Sequence, residues 1–111
     1  MIIKHNHRKL IIKDVRKCKG INQFIGLMFK PKDTNALLFE FSSSTNMKIH
    51  SLFCKPFLAI WLDSDDKVIE TKIIDKIGIF SPKKGFFKLL ELPLNKNYIP
   101  VIKILSYKEK V

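Results

Sequence analysis

Apolar residues along this chain recur mainly at a period of two, the spacing of strands that bury one face. Leu37, Phe39 and Phe41 share one face of a predicted strand over 36–41. Over 47–53, Met47, Ile49, Ser51 and Phe53 alternate with Lys48, His50 and Leu52. The run Phe57-Leu58-Ala59-Ile60-Trp61-Leu62 has no polar position, which predicts a central strand buried on both faces. Further strands are expected over 9–15, 68–74, 78–80, 86–92 and 101–106, and residues 1–8 read as a flexible start or an edge strand. Turn compositions separate them at 42–46, 63–66, 82–85 and 95–97. One stretch breaks the period: Ile21, Phe24, Ile25 and Met28 stand at helical spacing between Gly20 and Pro31. The expected fold is therefore mainly β. It is a small single-domain sandwich or barrel-like sheet of about seven strands, with one short N-terminal helix and residues 9–111 as the globular unit.

Composition supports a real core. Nine Phe and one Trp stand in 111 residues that are 46% hydrophobic, a length at which folding removes roughly two thirds of the accessible surface. The longest apolar run, 57–62, is far short of the ~20 residues of a spanning helix. Leu10-Ile11-Ile12 is too short for a secretory signal. Cys18 and Cys54 are too few for a disulfide framework. The expected location, by elimination, is the cytoplasm.

Charge changes the picture most. The formal net charge is +11, with +6 in residues 1–20 and +5 in residues 81–111. Adaptation to high temperature raises Lys and Glu together, but only four Glu accompany the nineteen Lys, so a hyperthermophile-like composition leaves the excess unexplained. If the first strand packs near the last two, Arg8, Lys9, Arg16, Lys17 and Lys19 join Lys83, Lys84 and Lys88 on one basic face. Such a face attracts nucleic acid or another polyanion. Two Arg are too few for extensive bidentate base recognition, so contact without sequence specificity is expected.

The candidate chemistry is thin. His5-x-His7 could offer two imidazoles from one side of a strand, but no four-ligand set completes a zinc site, and no metal is assigned. Cys54 has neither an adjacent base nor a helix start to activate it. Asp63, Asp65 and Asp66 lack the glycine and distal Glu of a calcium loop and read as turn residues. Four scattered glycines cannot form a phosphate cradle, and the sequence calls for no cofactor. Glu91 is the one acid inside an apolar strand. Burial there demands a partner, and a structural ion pair outranks catalysis.

Several phrases in one collinear order resemble the family known as domain of unknown function 192. They are Gly26-Leu27-Met28, Leu38-Phe39-Glu40-Phe41, Pro56 followed by an apolar strand to Asp63 and then Val68, and Leu90-Glu91-Leu92-Pro93. Gln23, Leu58 and the segment 49–53 depart from the family pattern at polar positions. The resemblance implies a compact, mainly β fold with a short helix, places Lys30 and His50 as partners for Glu91, and implies no activity. The reading is a small binding or interaction domain with a basic surface, leaning away from an enzyme. A small-molecule or carbohydrate-binding domain ranks second, and a hydrolase using Glu91 ranks last.

Overall fold

A computed structural model describes residues 1–18, 34–50 and 56–106. Its centre is a five-stranded sheet. The strands in chain order are β1 (Ile2–His5), β2 (Arg8–Ile11), β3 (Val15–Lys17), β4 (Ala36–Thr45), β5 (Ile49–His50), β6 (Phe57–Leu62), β7 (Val68–Ile74), β8 (Ile79–Phe80) and β9 (Phe86–Pro93). The sheet runs β3-β4-β9-β6-β7, with β1-β2 and β5-β8 as separate two-stranded ribbons. Only β3 and β4 pair in parallel within the sheet. It is an open sheet with β3 and β7 at its edges, so of the expected sandwich or barrel-like sheet the barrel does not close.

Both sheet faces are buried, so the sheet stands between two hydrophobic cores. Leu38, Leu58, Ile60, Leu62, Leu90 and Leu92 pack on one side against Ile3, Leu10 and Ile12 of the β1–β2 region. Leu37, Phe39, Phe57, Ala59, Trp61 and Leu89 pack on the other with Ile49 and Phe86. Strict alternation along β4 and β9 sends neighbouring residues to opposite faces. Leu37 and Phe39 therefore share a core with Leu89, while Ile60 and Leu90 belong to the other. All six residues of β6 are buried, as an all-apolar central strand requires.

The first element is a tight hairpin. Ile3 pairs with Leu10 and His5 with Arg8. Asn6 (φ 49°) and His7 (φ 65°) form the two-residue turn, the left-handed pair that a type I′ hairpin needs. Asp14, also left-handed at φ 54°, then ends any single strand over 9–15. Residues 42–45 continue β4 instead of turning, through a register shift against β9.

The helix is at the other end of the described chain. Residues 101–106, expected as a last strand, lie in α1 (Ile99–Ser106). Tyr98, Ile102 and Leu105 fall at i, i+4 and i+7 and are buried against the sheet, so the apolar stripe has helical as well as strand period. The Asn95 carbonyl accepts from the amides of Tyr98 and Ile99, and its side-chain oxygen from the amide of Asn97. Pro100 fits the first turn, where its missing N–H is not needed. Local capping thus outweighs the β-branched composition. The expected helix stripe Ile21–Phe24–Ile25–Met28 lies outside the described residues.

Candidate functional site

Because β1 meets the residue before β7 at an isolated parallel bridge, Lys4 with Lys67, the hairpin leans on the sheet edge without extending it. The Lys4 amide donates to the Asp66 carbonyl at 2.9 Å. Beyond that point the two elements diverge around a cleft of about 730 Å³. The hairpin contributes Lys4, His5, Asn6, His7, Arg8 and Lys9, and the sheet edge contributes Lys67, Val68, Ile69, Glu70 and Thr71.

The cleft is basic. Four cations line it against one carboxylate, Glu70, and Val68 and Ile69 are its only wholly apolar residues. That excess of positive charge suits an anionic ligand. Among the described residues none of Lys4, Arg8, Lys9 or Lys67 is ion-paired. Glu70 accepts a hydrogen bond from the Lys83 backbone amide at 3.1 Å, which brings the Lys83-Lys84 loop to the cleft's border. Asn6 Nδ2 and His5 Nε2 lie 3.2 Å apart at the hairpin tip.

The predicted basic residues separate into groups. Arg8 and Lys9 line the cleft, and Lys83 adjoins it. Arg16 and Lys17 lie on β3, the opposite edge of the sheet. Lys17 pairs with Glu40 at 3.2 Å, while Lys88 meets Asp66 at 2.6 Å and Glu40 at 3.9 Å. These four charges sum to zero, so Lys17 and Lys88 are answered within the fold. Lys19 lies outside the described residues. The sequence reading overlooked Lys4, Lys67, Glu70 and Thr71, and it weighed His5 and His7 only as metal ligands. Asn6 between two strand-like segments was the available signal for a tight hairpin. Its second turn residue, His7, is not the usual glycine.

His5 ends β1 and His7 occupies the turn, so they are not successive residues on one strand face. Among the described residues no three His, Cys, Asp or Glu side chains gather as metal ligands. Asp63 does turn chemistry: its Oδ1 accepts from the amides of Asp65 (2.8 Å) and Lys67 (2.9 Å). Pro56 is exposed just before β6, and its carbonyl accepts from the Leu94 amide at 3.4 Å. Glu91 is only 5% exposed. It stands in register between Leu37 and Ala59, on the face with Leu89 and Trp61, and does not line the cleft. Cys18 is buried on that same face. Gly26, Leu27, Met28, Lys30, Cys54 and the His50 side chain lie outside the described residues.

No family model matches the chain. It is similar to UPF0127 protein TK1120 of Thermococcus kodakarensis, 32% identical over 77 residues, which are 67% of this chain and 49% of the relative. The chain thus spans about half the length of that relative, and the similarity links it to an uncharacterised family. The fold is similar to a crystal structure from Sinorhizobium meliloti 1021 described as a "putative transcription regulator". The TM-score is 0.72 at 15% identity, covering 90% of this chain and 81% of the other. At that identity the likeness establishes the fold. No helix among the described residues is long and apolar enough to cross a membrane.

Proposed function

We propose that this chain is a binding domain that holds the phosphates of nucleic acid, without sequence specificity, in the cleft between the β1–β2 hairpin and β7. The observation that carries this is the set of four cations, Lys4, Arg8, Lys9 and Lys67, that line one cleft without ion pairs among the described residues. Cations with no internal acid displace the counterions condensed on a nucleic acid's phosphates, and that release drives association. Lys83 and Lys84 extend the positive surface past Glu70. The description of the Sinorhizobium neighbour as a transcription regulator is compatible with this reading. The ordered phrases from Leu38 to Pro93 support membership of the domain of unknown function 192 family, while the Thermococcus relative supports an uncharacterised family more broadly. A cytoplasmic location suits a nucleic-acid ligand.

The cleft's four cations rank this reading above an apolar-ligand pocket, and the position of Glu91 in the sheet core ranks it above a hydrolase. Titration with RNA and with DNA between ~50 and ~200 mM salt tests it. About four to six phosphate contacts weaken affinity by roughly two to three orders of magnitude over that range. Absence of binding at the low-salt end removes nucleic acid from the account and promotes a small anionic ligand.

A further inference from the structure

We infer that His7 is a ligand-contacting residue, held in a strained backbone conformation so that its imidazole can meet a phosphate at the mouth of the cleft. The inference rests on the phosphate-binding reading above and names a residue that reading does not need. The turn of the β1–β2 hairpin requires positive φ at both central positions. Asn6, at φ 49°, is an ordinary occupant of the first; asparagine and histidine enter this region more readily than most side chains, but unlike glycine they do so at a cost. The second position is the customary place of glycine, but here it is His7 at φ 65°. A side chain there carries a conformational cost that glycine would not.

Among the described residues no contact of the His7 side chain offsets that cost relative to glycine. The His7 side chain is exposed, and it makes no hydrogen bond or ion pair among the described residues. It does line the cleft, next to Arg8 and Lys9 and across from Lys67. A side chain kept at a turn that glycine would close at less cost points to use by a ligand. Imidazole supplies an N–H donor on a short, stiff side chain, where a lysine would be mobile. Four cations attract the anion, and a donor fixed by the turn sets its place among them.

The test uses the full chain and three proteins: the parent, His7→Gly and His7→Asn. Glycine relieves the turn, so His7→Gly melts about 2–5 °C higher than the parent. Asparagine tolerates the left-handed region and keeps the turn stiff while removing the imidazole. Binding of a labelled single-stranded oligonucleotide at ~50 mM salt weakens by about three- to tenfold in both variants, the loss expected of one solvent-exposed hydrogen bond. Affinity in both variants equal to that of the parent overturns the inference while leaving the polyanion reading standing. A lower melting temperature for His7→Gly removes its premise of strain. Failure of the parent itself to bind overturns the underlying reading and this inference with it.

Discussion

Replacing Tyr98 with Phe removes one oxygen atom and little else, and the structure says what that atom does. The ring is 1% exposed in the core beneath α1. Its hydroxyl accepts from the Ala36 amide at 2.8 Å and donates to the Lys13 carbonyl at 3.0 Å, with the Asp14 carbonyl at 3.3 Å. One side chain thereby ties the link before β3, the start of β4 and the entry to α1. In Tyr98→Phe the Ala36 amide, in a residue 0% exposed, keeps its desolvation and loses its acceptor. An orphaned buried donor costs about 1–3 kcal/mol. Lys13 is exposed, so water can replace the donor that its carbonyl loses. The net expectation is about 2 kcal/mol, or about 8 °C in melting temperature for a domain of this size. Trp61, the only tryptophan and 0% exposed, reports unfolding by fluorescence. Urea titration should move the midpoint with an unchanged slope. A loss below about 0.5 kcal/mol would refute the argument that this hydroxyl latches the three segments.

Two further substitutions probe the packing and the turn. Phe39→Ala empties a site 2% exposed in the Leu37–Trp61–Leu89 core, so urea unfolding should show a loss of about 3–5 kcal/mol; a loss under about 1 kcal/mol would contradict its burial there. Asp63→Ala withdraws the acceptor of two turn amides and should cost about 1–2 kcal/mol, whereas Asp63→Asn, which keeps an acceptor oxygen, should recover most of it in the same assay.

The sequence patterns that proved most informative were those with one possible meaning. Six consecutive apolar residues can only be a strand buried on both sides or a helix, and Pro56 with the Asp63–Asp66 turn limits them to strand length; β6 occupies 57–62. Asp63, Asp65 and Asp66 were legible as turn residues because short acids bond their own backbone, and Asp63 does so. The C-terminal segment was misread because Val101, Ile102 and Ile104 favour strands individually. The helical spacing of Tyr98, Ile102 and Leu105 shows only when the window is opened upstream. The split core follows from alternation along β4 and β9, but which face each strand shares with its neighbours depends on pairing at long range. The cleft was invisible for the same reason. Lys4 and Lys67 are 63 positions apart and meet through one bridge. Charge counting found the basic start of the chain, but it could not show that Lys17 and Lys88 would be answered by Glu40 and Asp66.

The central claim is that the cleft, and not the diffuse positive charge, binds phosphate. The most direct test is the salt dependence of DNA affinity in two charge variants. One replaces Lys4, Arg8, Lys9 and Lys67 with Gln; the other replaces Arg16 and Lys17, at the far edge of the sheet, with Gln. Each phosphate contact contributes about −0.9 to the slope of log affinity against log salt for duplex DNA. The account predicts that the cleft variant loses most of the slope, about three to four in magnitude, while the edge variant keeps nearly all of it. Equal losses per charge removed in the two variants would contradict it, because they would show that binding follows net charge wherever the lysines stand.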